Sequence, residues 1–125
     1  MKCGDNIMFN SIKVIFAAIA MSFLLIGQGF AASGTFSGVE GERVRGSVEV
    51  TETAVKLSSN FQTTSGPDLY VYLGNDKPTK IVAVLKKNKG SQTYALPKGI
   101  DLSNYSAVFI HCKKYSHTFG KASIR

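Results

Sequence analysis

From Val44 to the C-terminus, short runs of Val, Ile, Thr, Tyr and Phe alternate with clusters of Gly, Asn, Asp and Pro, and no stretch keeps a helical spacing for long. The runs are Val44 to Glu52, Val55 to Phe61, Leu69 to Leu73, Thr79 to Leu85, Gln92 to Leu96, Tyr105 to Cys112 and Tyr115 to Ile124. Turn signals separate them at Gly66-Pro67-Asp68, Gly74-Asn75-Asp76, Asn88-Lys89-Gly90 and Pro97-Lys98-Gly99. Strands this close together leave no room for crossover helices, so they must pair antiparallel. The expected fold is all-β, a small antiparallel sandwich or partly open barrel.

Alternation within the runs assigns faces. Val44, Val48 and Val50 share one side of their strand, and Arg45, Ser47 and Glu49 share the other, which gives it one wet face. Leu69, Val71 and Leu73 lie opposite Tyr70 and Tyr72, while Val108 and Ile110 lie opposite Ala107 and Phe109. These two strands are apolar on both sides and should be central. Asp101-Leu102-Ser103-Asn104 can cap a single helical turn before the Tyr105 strand.

The N-terminus reads differently. An uncharged apolar run from Val14 to Gly27 follows Lys2 and Lys13 and precedes the small residues Gly29, Ala31, Ala32 and Ser33. That order is the order of a secretory signal peptide, with Gly29 and Ala31 meeting the small-residue requirement for a cut after Ala31. An uncleaved anchor is the alternative, but the run falls short of the roughly 20 apolar residues of a bilayer-spanning helix. The expected organisation is a signal segment over residues 1–31 and one domain over residues 32–125, placed in the periplasm or secreted. Contact with a membrane would then come only through an uncleaved signal segment.

Removing residues 1–31 takes away Lys2, Lys13 and Asp5, which turns the chain's net charge of +7 into +6 for the mature part. A basic surface can attract nucleic acid, anionic lipid or an acidic redox partner, and export argues against nucleic acid. The plainer reading is a solubilising charge, since Lys86, Lys87 and Lys89 look like the solvated end of a hairpin.

Of the two cysteines, Cys3 departs with the signal segment, so Cys112 has no partner within the mature chain. An exported lone thiol is buried, occupied by a ligand, paired between chains or chemically employed. Cys112 follows Val108 and Ile110 on one face, where a buried strand runs into Lys113 and Lys114, which points to a thiol at a rim. Beside those cations its pKa would fall toward the reactive thiolate; in mid-core it would be a small hydrophobe.

The two histidines flank this cysteine in His111-Cys112-Lys113-Lys114-Tyr115-Ser116-His117. A copper loop tolerates the Cys112–His117 spacing, but His111 and Cys112 point to opposite faces of an extended strand, and every methionine lies in or before the signal segment. No metal site is expected. A Cys112/His pair oriented by Asp68 or Asp101 could serve a hydrolase, yet the chain has neither a Gly-rich nucleophile turn nor a phosphate loop.

Several ordered blocks resemble the DM13 domain family. They are Gly66 to Leu73, Gly90 with Tyr94-Ala95-Leu96-Pro97, Ile100 to Tyr105, Val108 to Lys113, and Phe119-Gly120-Lys121-Ala122; Gly34-Thr35-Phe36 and Arg45-Gly46-Ser47-Val48 also fit. The resemblance implies an all-β extracytoplasmic electron-transfer module with Cys112 as its redox centre, either as a free thiol or as ligand to a group such as haem. It also implies a separate redox protein as partner, because the companion DOMON-type domain of some longer relatives is missing here. His111 stands where an aromatic residue, typically Trp, precedes the family's cysteine. The residues expected to serve the site are therefore Cys112 as the reactive group, with His111, His117, Lys113, Lys114 and Asp68 as ligands or tuning groups. A noncatalytic domain that binds an envelope polymer or a protein is the alternative.

Overall fold

The computed structural model describes residues 30–125. The signal segment expected over residues 1–31 therefore lies outside the described residues apart from its last two, and Ala31 is the first residue of the first strand. Ten strands form: β1 Ala31–Gly38, β2 Val44–Arg45, β3 Ser47–Thr51, β4 Ala54–Leu57, β5 Gln62–Thr63, β6 Leu69–Gly74, β7 Pro78–Val84, β8 Gln92–Ala95, β9 Ala107–Cys112 and β10 His117–Ser123. Eight of them make one sheet in the order β7-β6-β9-β10-β1-β3-β4-β8, while β2 and β5 pair separately. Every pairing is antiparallel.

The sheet curls until its two edge strands, β7 and β8, approach one another, giving a nearly closed barrel. Side chains bridge this seam. Tyr94 on β8 accepts a hydrogen bond from the Lys86 amide at 2.8 Å, and Gln92 accepts from the Lys87 amide at 3.2 Å while donating to the Lys87 carbonyl at 2.9 Å. Lys86, Lys87 and Lys89 are exposed, but they do not cap a hairpin as the sequence suggested. β8 takes its ladder from β4, so the segment after β7 crosses the seam instead of turning back along its own strand.

β1 ties the two halves of the barrel together. Ala31 to Thr35 pair with β3, and Phe36 to Gly38 pair with β10. The sequence did not mark this strand, because AASGTFSG is mostly Ala, Ser and Gly, which carry little β signal. The strand expected over Val44 to Glu52 is split by Gly46, whose φ of 104° suits glycine and whose Cα faces the Phe61 backbone, so close that an added Cβ would lie 2.5 Å from the Phe61 Cα. The last strand starts at His117, two residues later than the sequence suggested, because Lys113 to Ser116 form a turn with Ser116 at φ 50°. The single helical turn at Leu102–Asn104 forms as expected, with the Asp101 side chain accepting from the Ser103 amide at 3.0 Å.

Alternation places the core as read. Val48, Val50, Val55, Leu69, Val71, Leu73, Val108, Ile110 and Cys112 fill the interior, while Tyr70, Tyr72, Ala107 and Phe109 pack together on the outer face. β6 and β9 are interior strands of the sheet, as their two apolar faces required. A β-bulge in β10 shifts the register between Thr118 and Gly120, so that Phe119 and Gly120 both face inward. The second of them must lack a side chain: a Cβ on Gly120 would come within 2.6 Å of the Val44 Cβ.

Gly120→Ala should therefore cost about 1–3 kcal/mol through overpacking. Val44→Gly, which removes that Cβ and both methyls, should recover part of that loss in the double variant, which a double-mutant cycle on urea midpoints would detect. Simple additivity of the two losses would mean that the bulge is not held by this contact.

Candidate functional site

Cys112, His111 and His117 meet where β9 ends and β10 begins, and the ladder dictates their directions. Cys112 is the register partner of Leu69 on β6 and of His117 on β10, whereas His111 is the partner of Tyr70 and Thr118. Directly opposed residues share a face, so Cys112 and His117 belong to the interior side and His111 to the exterior. Strand alternation thus keeps His111 and Cys112 apart, as the sequence implied.

Cys112 is buried, with 1% of its surface exposed, and it forms no disulfide among the described residues. The expectation of a thiol open at a rim is corrected here. β9 does end at Cys112, but the chain packing does not: the Lys113 amide donates to the Asp68 carbonyl at 3.0 Å, and the turn around Gly66 presses on Leu69 and Phe119. That turn packs across the end of the barrel where β9 finishes. Cys112 belongs to the apolar core and lines none of the four grooves described, so these residues do not fit a haem held through its sulfur. Among the described residues, no group of three or more His, Cys, Asp or Glu side chains gathers as a metal site.

His117 occupies the margin of the roofed end, with its side chain 35% exposed and its ring edge-on to Phe119 at 5.3 Å. Two carboxylates hold it. Nδ1 lies 2.9 Å from Glu40 and Nε2 lies 2.9 Å from Glu42. Both contacts are full hydrogen bonds only when the ring is protonated and donates from each nitrogen. Glu40 also accepts from the Thr118 amide at 3.1 Å, and Glu42 accepts from the Thr64 hydroxyl at 3.0 Å. The bond from His117, then that from Thr64, holds the Glu42 carboxyl below its ordinary value.

The turn that delivers these acids is tight. The Glu42 amide donates to the Val39 carbonyl at 3.0 Å, and Glu40 and Gly41 both have positive φ, 54° and 83°. The glycine tolerates this conformation at little cost, whereas Glu40 adopts it with its carboxylate fixed by two donors. Neither glutamate was foreseen from the sequence, because they lie more than seventy residues from His117 and only the β1–β10 pairing brings them there.

His111 is buried on the outer face. Its Nδ1 is hydrogen-bonded to the Thr118 hydroxyl at 2.9 Å, and its ring meets Tyr72 edge-on at 5.1 Å. Burial pushes its pKa below the ordinary value; the Glu40 charge opposes that shift, and the His117 charge adds to it more weakly. A groove of about 440 Å³ opens over it, lined by Phe109, Thr118, Lys121, Glu40 and Lys77 among others.

The remaining expected residues are dispersed. Lys113 places its ammonium 5.4 Å from the Tyr70 ring centre, and Lys114 does the same with Tyr115 at 5.4 Å, so both amines are occupied over aromatic faces. Asp68 contributes its carbonyl to the roof. Asp101 is committed to capping the helical turn and orients neither histidine.

A family model described as "Electron transfer DM13" matches residues 35–124. The chain belongs to the DM13 family. The match runs from the middle of β1 to the residue after β10, and it makes this domain an electron-transfer-related module. Searches of curated proteins and of solved structures each found no match. The redox partner expected from the sequence is compatible with that family description. Among the described residues, no helix is long and apolar enough to cross a membrane.

Two groups of this DM13 domain should shape its stability against pH. The unfolded His111, with a pKa of about 6.5, binds a proton more readily than the buried one, so stability is greatest above that value and falls as pH drops through the lower folded value. Glu42 has the same sign in a lower window, its contribution being lost as pH falls through its depressed value. His111→Phe should flatten the stability curve just below pH 6.5, and Glu42→Gln should flatten it at more acidic pH. Urea midpoints measured across the range would show whether the two windows separate.

Proposed function

We propose that this DM13 domain is an exported electron-transfer module whose redox centre is Cys112, acting as a thiolate when the roofed end of the barrel opens. The observation that carries the reading is the pairing of Cys112 with His117 across β9 and β10. It sets a titratable ring, itself bracketed by Glu40 and Glu42, on the side of the strand that bears the thiol. A thiolate is the nucleophilic and oxidisable form of cysteine, and His117, with both ring nitrogens held by Glu40 and Glu42, can take a proton from it only once those contacts give way. Opening requires only that the Gly66–Asp68 turn or the His117 contacts give way locally, which costs less than unfolding the barrel. The partner is a separate redox protein in the periplasm or outside the cell, and the signal segment over residues 1–31 is the export device.

Modification of Cys112 by a small alkylating reagent, located by mass spectrometry, tests this. Reaction in the folded protein should run at least about tenfold faster than global unfolding measured under the same conditions. Glu40→Gln together with Glu42→Gln should raise the rate further by loosening the end. Labelling that merely tracks global unfolding would show that Cys112 is a packing residue, and the redox reading would fail.

The burial of Cys112 favours a second reading, a noncatalytic binding domain for an envelope polymer or a protein, using the exposed Lys86, Lys87 and Lys89. In that case Cys112→Ser keeps the activity and charge reversal at the three lysines removes it; the redox module gives the reverse pattern.

A further inference from the structure

The groove on the outer face of β9 and β10 has a role in neither reading. Its floor is Phe109, His111 and Thr118, walled at one end by Val39, Glu40 and Ser116 and at the other by Asp76, Lys77 and Pro78. We propose that this groove binds a neutral phenolic ring, a phenol or a hydroquinone, whose hydroxyl is held by His111 Nε2.

Four observations lead to that chemistry. His111 retains only 8% of its surface yet lines the groove, and its one hydrogen bond is made through Nδ1 to Thr118. Among the described residues, no fully buried side-chain nitrogen or oxygen lacks a partner, so the unbonded Nε2 keeps accessible surface on a residue that lines the groove. Either tautomer satisfies the Thr118 bond, leaving Nε2 as a donor in one and a bare acceptor in the other. A hydroxyl is both donor and acceptor, and so answers either form. Burial keeps the imidazole neutral near neutral pH, so the site does not demand an anion.

The rest of the lining supplies shape and selectivity. Phe109 offers an aromatic ring whose face is now covered by the Lys121 ammonium, 5.7 Å from its centre. That lysine is half-buried on an unbranched stem, and a planar ring that displaces its ammonium can take its place. The rim carries two carboxylates, Glu40 and Asp76, against two ammonium groups, Lys77 and Lys121, which favours an uncharged ligand over either ion. Glu40 is also committed to His117 and to the Thr118 amide, which removes it as a free metal ligand. The volume, about 440 Å³, lies in the lower part of the roughly 300–1,000 Å³ span of small-molecule pockets and suits one ring or two fused rings.

The site is separate from Cys112, which faces the opposite side of the same strand. The test is a titration of the purified protein with phenol and with hydroquinone under reducing conditions, followed by nitrogen-15 NMR. Amide shifts should concentrate at Phe109, His111, Thr118 and Lys121, and the His111 ring nitrogens should move with them. Anisole, benzoate, benzylammonium and methyl glucoside should each bind at least about tenfold more weakly, and His111→Phe should weaken phenol by a similar factor. Cys112→Ser should leave phenol affinity unchanged within about twofold, whatever becomes of the thiol's own role. The assignment is overturned if anisole equals phenol, if a charged analogue or the glucoside binds better, or if the shifts centre elsewhere. The comparison of analogues needs only the native protein, so a poorly folding His111 variant does not weaken it.

Discussion

Everything at this site follows from β9 being covered on both sides. An interior strand flanked by β6 and β10 sends alternate residues into two separate environments, the aliphatic interior and an aromatic outer layer. Val108, Ile110 and Cys112 go one way, and Ala107, Phe109 and His111 the other. A one-residue slip of β9 would exchange the two sets and put an imidazole in the core. The register is held by ladders on both flanks and by the bulge in β10, where Val44 fills the space a side chain on Gly120 would need.

Adjacent residues thus come to have unrelated chemistry. His111 is tied to Thr118 and Tyr72 and looks out into a groove, while Cys112 is sealed by Leu69, the Gly66–Asp68 turn and the neighbourhood of Phe119. The group that belongs with the thiol is His117, five positions onward, because the turn between β9 and β10 folds the chain back at the required length. Its ring is then fixed by acids from the opposite end of the domain's sequence.

Much of this was legible before any coordinates. Strict alternation in β6 and β9 gave the central strands and their faces, the Asp101 cap gave the helical turn, and the ordered blocks gave the family. What escaped had physical reasons. β1 is mostly Ala, Ser and Gly, whose strand propensity is poor, and β3 and β10 make it a strand by offering ladders along its two halves. The depth of Cys112 was misjudged because adjacent lysines imply solvent, yet Lys113 bends outward over Tyr70 while its amide stays bound to Asp68. The Glu40–His117–Glu42 arrangement has no local signature at all, being a product of long-range pairing.

The barrel's last joint differs from the others. Backbone ladders join seven neighbouring strand pairs in the main sheet, whereas β7 and β8 meet through the side chains of Tyr94 and Gln92 and the main chain beyond β7. The segment that closes the ring is fastened in turn from the flank, where the Thr63 amide donates to the Asn88 carbonyl at 2.8 Å and the Gly90 amide to the Phe61 carbonyl at 2.9 Å. The small β2–β5 sheet thus acts as a clasp over the one joint that the main ladder leaves to side chains.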